Sequence, residues 1–80
     1  MCLGVPMRII EIDGFNAVCE ARGIRRQANL FLLQHESLEV GDMVMIHVGS
    51  AIQKMTDEEA HSAWEIYDEM LSRLDRSTDA

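Results

Sequence analysis

The chain has 80 residues, of which 48% are apolar, and a net charge of −7. This length predicts one domain with a thin core, because a chain this short buries only about 60–65% of its unfolded surface. No run approaches the roughly 18–20 apolar residues of a membrane span, and the start lacks the basic and apolar stretches of a signal peptide. We therefore expect a cytoplasmic protein that does not associate with membranes.

The negative charge is concentrated near the C-terminus. Residues 1–55 contain five Arg or Lys and six Asp or Glu, whereas residues 56–80 contain two and eight. Nucleic-acid binding requires a basic surface, so we expect no nucleic-acid partner. The acidic segment is interpreted as the solvated face of a helix.

The start of the chain, Met1-Cys2-Leu3-Gly4-Val5-Pro6, contains the most informative cysteine. Removal of the initiator methionine would place the Cys2 thiol beside a free α-amine, which favours the thiolate that binds metals. Gly4 allows close backbone approach, and Pro6 fixes its own φ. These residues predict a thiol presented at the start of a strand; a loose terminus without a role is the alternative.

Short strands with intervening turn residues occupy residues 7–55. The predicted strands are Met7–Asp13, Asn16–Ala21, Ile24–Leu33 and Met43–Gly49, with Ser50–Met55 as a further extended piece or turn. Cys19, inside the second strand, is interpreted as a small packing residue.

A C-terminal helix is predicted over residues 56–76, with residues 77–80 as a frayed tail. Thr56-Asp57-Glu58-Glu59 is a capping box. Apolar residues then recur at steps of three and four: Ala60, Ala63, Trp64, Tyr67, Met70, Leu71 and Leu74. This face is expected to pack on the barrel, on a second copy or on a partner.

These elements predict a mainly β fold, a small OB-like β-barrel with a C-terminal amphipathic α-helix. Residues 1–55 would form the barrel with its N-terminal metal-presenting segment, and the helix would belong to the same domain.

His47 interrupts an otherwise apolar strand and has two interpretations. It is either a half-buried histidine bonded to a backbone carbonyl, or a metal donor paired with Cys2. Two donors do not complete a structural zinc site, which needs four. An incomplete site suits a carrier that must receive and release a metal. His35 and His61 are predicted to lie on the surface.

Three segments resemble the HypC/HupF/HybG family of hydrogenase maturation chaperones: Met1–Pro6, Gly23–Leu33 and Gly41–Gly49. The resemblance extends to about residue 74. It implies an OB-like barrel with a C-terminal helix and no stand-alone enzymatic role.

The resemblance also implies a function and its residues. Family members assemble an iron bearing cyanide and carbon monoxide with HypD, an iron–sulfur protein, and deliver it to the precursor of the [NiFe]-hydrogenase large subunit. Carried over by position, Cys2 and His47 are the metal residues, and iron would be bound only transiently. Gly4 and Pro6 would shape the loop. The candidate partner-binding residues are Leu3, Val5, Trp64 and Tyr67.

Two other functions remain as alternatives. A small OB-fold binder of single-stranded nucleic acid needs a basic groove with stacking aromatics, whereas this chain is acidic and has four aromatic residues. A cysteine-dependent redox or acyl-transfer enzyme needs an oriented base and an oxyanion pocket, for which so short a chain leaves little room.

Overall fold

The computed structural model describes the backbone of residues 4–78 and the side chains of residues 4–73. Five strands form a closed barrel that is followed by a long helix. The elements are β1 (Val5–Asp13), β2 (Asn16–Ala21), β3 (Ile24–Asn29), a 3-10 helix (Phe31–Leu33), β4 (Met43–His47), β5 (Ser50–Met55) and α1 (Asp57–Thr78). The predicted mainly β fold, an OB-like barrel with a C-terminal helix, is confirmed.

The strand order around the barrel is β1-β2-β3-β5-β4, and β4 returns to pair with β1. The neighbours pair antiparallel except β3 and β5, which meet in a parallel contact between Asn29 and Ser50. Closure covers the strand edges that an open sheet of this size would expose to other chains.

The barrel interior is filled by alternating strand residues, several of them small because a five-stranded barrel is narrow. The buried cluster comprises Met7, Ile9, Ala17, Cys19, Ala28, Leu30, Leu33, Val44, Ile46 and Ala51. Cys19 has no exposed surface, and burial raises the pKa of its thiol. The interpretation of Cys19 as a packing residue is confirmed.

The third strand is shorter than predicted, because the chain turns after Asn29. The Asn29 side-chain oxygen accepts a hydrogen bond from the Phe31 amide at 2.7 Å, and the Leu30 amide donates to the Phe15 carbonyl at 2.7 Å. Such local side-chain bonds compete with a sheet ladder. The prediction of a strand to Leu33 was therefore wrong beyond Asn29, although Leu30 and Leu33 are buried.

The capping box is formed as predicted. The Thr56 hydroxyl accepts from the Glu59 amide at 3.1 Å, and the Glu59 carboxylate accepts from the Thr56 amide at 2.8 Å. The helix then continues to Thr78, beyond the predicted end at residue 76. Within residues 4–78, no helix is long and apolar enough to cross a membrane.

Only the first half of α1 packs on the barrel. Ala60 is buried and Trp64 and Tyr67 are half-buried, whereas Met70 and Leu71 are 52% and 56% exposed. The molecule accordingly measures 48 Å along its longest axis and 23 Å and 21 Å across. The predicted apolar stripe is thus divided between a packed half and an exposed half.

Arg22 ties the packed half of α1 to the barrel. It lies in the β2–β3 turn, donates to both Asp68 carboxylate oxygens at 2.6 and 2.8 Å, and places its guanidinium 4.2 Å from the centre of the Trp64 ring. These hydrogen bonds from Arg22 lower the pKa of Asp68. The orientation of the helix therefore depends on a cation–π contact and a bidentate ion pair together.

The lowered pKa of Asp68 predicts an acid-dependent loss of stability. The ion pair contributes fully above the unfolded-state pKa, near the model-compound value of 3.8, and its contribution is lost as pH falls through the lower folded-state pKa. We expect the stability difference between the native chain and Asp68→Asn to shrink from pH 7 to pH 3. Urea unfolding at the two pH values measures it. An unchanged difference would contradict the prediction. Glu69→Gln, which removes only the neighbouring pair with Arg73 on the same helix, is the control.

Candidate functional site

The pairing of β1 with β4 brings the start of the chain beside His47. The ladder runs from Arg8 and Met43 to Val5 and Ile46. The next residues in the two antiparallel strands are Gly4 and His47. Gly4 and His47, which are far apart in the sequence, therefore lie at the same end of the paired strands β1 and β4.

His47 lies on the outer face of the barrel. Val44 and Ile46 are buried inside, whereas the alternating residues Met43, Met45 and His47 are half-buried on the other side. No hydrogen bond or ion pair engages the His47 ring within the described part of the chain. One of the two interpretations of His47 was a hydrogen bond between its ring and a backbone carbonyl. No such bond is found within residues 4–78. Its ring nitrogens are therefore not committed to the fold there.

The other two histidines lie on the surface, as predicted. The side chain of His35 is 70% exposed and lies 3.9 Å from Glu36, and that of His61 is 77% exposed and lies 3.8 Å from Glu65.

Cys2 and Leu3 lie outside the described residues. Covalent geometry alone limits the Cα atom of Cys2 to within about 7 Å of that of Gly4. Among the side chains of residues 4–73, no group of three or more His, Cys, Asp or Glu could hold a metal ion. The predicted donor pair of Cys2 and His47 is therefore not tested by the described side chains.

Gly4 is packed against β4 where a larger residue would collide. A Cβ atom built on Gly4 would lie 2.3 Å from the Met45 sulfur and 2.5 Å from its Cγ, closer than real Cβ contacts. Pro6 is completely buried beside it. Gly4 thus lies in close approach to the Met45 side chain, and the predicted role of Gly4 and Pro6 in shaping the presenting loop stays a prediction.

The turn after His47 contains a strained residue. Val48 and Gly49 both have positive φ, +50° and +78°, and connect the paired residues His47 and Ser50. Such a two-residue turn favours Asn-Gly, and positive φ is a genuine outlier for a β-branched residue. Val48 is also 90% exposed, so burial does not compensate for the strain.

An apolar groove of about 370 Å³ opens at the same end of the barrel. Its floor includes the core residues Met7 and Ile46, and its walls include Val5, Ile24, Val48 and Trp64. Val5, a predicted partner-binding residue, is 37% exposed. The apolar rim therefore adjoins His47, since Ile46 and Val48 are its neighbours in the chain.

Trp64 and Tyr67 have contacts that sequence periodicity does not reveal. The Trp64 indole donates to the Pro6 carbonyl at 3.1 Å, and the Tyr67 hydroxyl donates to the Gly4 carbonyl. Both side chains are part-buried against β1, and their predicted partner-binding role stays a prediction. Met45 and Val48 were missed as residues of this site. Two signals were available in the sequence. Val48 comes before Gly49, where a tight turn favours asparagine. Met45 is two residues before His47 and therefore lies on the same face of the strand.

Comparison with known proteins identifies one family. The model of the HupF/HypC family matches residues 1–67. The chain is 36% identical over 75 residues to the hydrogenase maturation factor HypC of Helicobacter hepaticus, covering 92% of this chain and 86% of that protein. It is 37% identical over 75 residues to the hydrogenase expression/formation protein HupF of Bradyrhizobium diazoefficiens, covering 94% and 74%. It is 46% identical over 61 residues to HypC of Azotobacter chroococcum, covering 75% and 70%.

The contact between Gly4 and Met45 predicts a coupled effect on stability. Gly4→Ala introduces a Cβ into the space of the Met45 side chain, and we expect a loss of about 1 kcal/mol because the flexible thioether can partly move away. In a Met45→Ala background the same change should cost much less. Urea unfolding of the four variants of this double-mutant cycle measures the coupling. Strictly additive costs would show that the two residues do not compete for one space.

The strain at Val48 predicts a stabilising substitution. Val48→Asn places a residue that tolerates positive φ in the turn, and we expect a gain of about 1 kcal/mol in the free energy of unfolding. Val40→Asn is the matched control, since Val40 is also exposed, at 61%, but has no positive φ. A shift of the urea midpoint in the control alone, or in neither variant, would contradict the prediction.

Proposed function

Because the chain belongs to the HupF/HypC family, we propose that it is a hydrogenase assembly chaperone that carries an iron fragment. With a HypD-type iron–sulfur protein it would help assemble an iron bearing cyanide and carbon monoxide. It would then deliver this cargo to the precursor of the [NiFe]-hydrogenase large subunit. The observation that carries the proposal is the family match over residues 1–67, which includes both Cys2 and His47.

The thiolate of Cys2 and the imidazole of His47 are the proposed iron donors. A thiolate and an imidazole form a mixed soft and borderline set that suits iron. The β1–β4 register supports the pairing, since Gly4 and His47 follow the same end of the ladder and Cys2 is two residues before Gly4. The uncommitted ring of His47 supports it further.

A pair of donors suits cargo that must be released. Cyanide and carbon monoxide fill much of the coordination sphere of the iron, so the chaperone needs to supply only one or two ligands. The α-amine beside Cys2 is a further candidate donor. Thiols of the partner proteins could then displace the chaperone by ligand exchange, which a closed four-ligand site would resist.

We propose that the chain has no enzymatic activity of its own. A catalytic cysteine requires a base whose orientation is fixed by a third group. In the part of the chain that the structure describes, no side chain orients the His47 ring. We place the protein in the cytoplasm, where reducing conditions keep thiols such as Cys2 free.

Single-stranded nucleic acid is the less favoured ligand. Stacking of bases needs exposed aromatic rings beside basic residues. The Trp64 ring is instead covered by Arg22, and the Tyr67 hydroxyl is bonded to β1. Phe15 and Phe31 are exposed and contact each other edge to face, but the chain as a whole carries a charge of −7.

Anaerobic co-expression with the maturation partners tests the proposal. We expect the purified chain to carry iron and to show infrared stretching bands of bound cyanide and carbon monoxide. Cys2→Ala should lose iron and bands together while urea unfolding remains unchanged, because a thiol at residue 2 contributes little to the buried core. His47→Gln should release iron at least about tenfold faster. Loss of a group that only supports a metal ligand already weakens metal binding by about tenfold or more.

Matched controls identify the residues responsible. Cys19→Ala removes the buried thiol and should retain the bands, with some loss of stability, and His35→Gln should behave as the native chain. A native chain without iron or bands, isolated from a system that matures active hydrogenase, would overturn the carrier function. The protein would then be an adaptor between partner proteins.

A further inference from the structure

Two side chains of α1 bond the start of β1 and the residue before it. The Trp64 indole nitrogen donates to the Pro6 carbonyl at 3.1 Å, and the Tyr67 hydroxyl donates to the Gly4 carbonyl. The two rings contact each other edge to face, with centres 5.7 Å apart and planes at 87°. One turn of the helix therefore bonds one carbonyl of β1 and the carbonyl of Gly4, directly before the strand.

These bonds act at the start of the first strand. Val5 is the first residue of β1 and the last to pair with β4, and Gly4 comes directly before it. The Tyr67 hydroxyl reaches this residue from another element and holds its carbonyl on the helix side.

The position of Tyr67 is itself fixed by neighbouring contacts. Trp64, one turn earlier in the helix, is covered by the Arg22 guanidinium at 4.2 Å, and Asp68, the next residue, binds the same guanidinium at 2.6 and 2.8 Å. The phenol is thus held between two anchored residues. Met45 closes the opposite side of Gly4, since its sulfur fills the space that a Cβ would occupy.

We propose that Tyr67 is a positioning residue for iron binding. By holding the Gly4 carbonyl it would fix the backbone position from which the chain continues to Leu3 and Cys2, and so favour the binding of one iron by the Cys2 thiol and the His47 ring. The inference rests on the proposed function because it takes Cys2 and His47 as the iron donors. The effect of Tyr67 on the position of the backbone does not depend on iron. Tyr67 acts through the backbone and not as a ligand.

Disulfide trapping tests the geometry without metal. In a chain carrying His47→Cys and Cys19→Ala, the remaining thiols are at positions 2 and 47. Oxidised glutathione converts this pair to a disulfide and is itself reduced to two glutathione molecules. The bond forms readily only when the two Cα atoms come within about 7 Å. The rate is measured by mass spectrometry after quenching with acid.

We expect Tyr67→Phe to slow disulfide formation about three- to tenfold, the effect of losing one hydrogen bond. The phenyl ring retains the contact with Trp64, so unfolding is not the cause, and urea titration verifies this. Glu69→Gln is the matched control, because it removes the neighbouring pair with Arg73 on the same helix and touches neither Gly4 nor Arg22. It should slow the reaction less than about twofold.

Two outcomes would overturn the inference. Equal rates with and without Tyr67→Phe would show that the hydroxyl does not position the segment. Equal slowing by Glu69→Gln would show that a general change in the helix, not the bond to Gly4, is responsible. Failure of the parent chain to form the disulfide would likewise overturn it.

Iron loading separates this inference from the proposed function. In the native background, Tyr67→Phe should lower the iron bound per chain and broaden the cyanide and carbonyl bands, while Cys2→Ala abolishes them. Full loss in Cys2→Ala with no effect of Tyr67→Phe would reject the positioning role and leave the carrier function standing. Slower trapping in Tyr67→Phe with no iron in the native chain would support the geometry and reject the carrier function.

Discussion

The antiparallel pairing of β1 with β4 is the constraint on which the rest of the structure depends. The same residues, Val5–Arg8 and Met43–Ile46, close the barrel and align the start of the chain with the end of β4. In a protein this small the core is thin, so closure of the barrel is needed both to bury Ile9 and Val44 and to remove open strand edges. The candidate site is therefore a consequence of the interaction that completes the fold.

The helix adds a second level of order to this arrangement. Its first half contributes one fully buried alanine, Ala60, and two aromatic residues that bond strand carbonyls. An apolar contact alone would allow the helix to slide, whereas directed bonds to Pro6 and Gly4 specify its register on β1. The exposed side chains of Met70 and Leu71 follow in the next turn. The division between packed and exposed halves falls where the helix passes the end of the barrel.

The sequence allowed local features to be predicted well. The capping box at Thr56 and Glu59 and the strand Asn16–Ala21 need only neighbouring residues to form, and both were found as predicted. The end of β3 was missed because the Asn29 side chain captures the Phe31 amide, a bond that hydrophobic alternation does not encode. The contact between Tyr67 and Gly4 was missed for a different reason, since a bond to a distant main-chain carbonyl leaves no pattern in the residues between them.

At one end of the barrel the backbone is strained at Val48 and closely packed at Gly4. Gly4 is held tightly by Met45 and Tyr67, which restricts the residue that leads to Cys2. Val48, one residue beyond His47, instead presents an apolar side chain to solvent at a backbone angle that an asparagine would adopt with less strain. Such backbone strain lowers the free energy of unfolding, which is small in any protein of this size. Backbone strain is also characteristic of functional sites. For the proposed carrier function, a tightly held Gly4 beside an exposed apolar turn would be useful, because cargo has to be held in one geometry while the surrounding surface stays accessible to the proteins that supply and receive it.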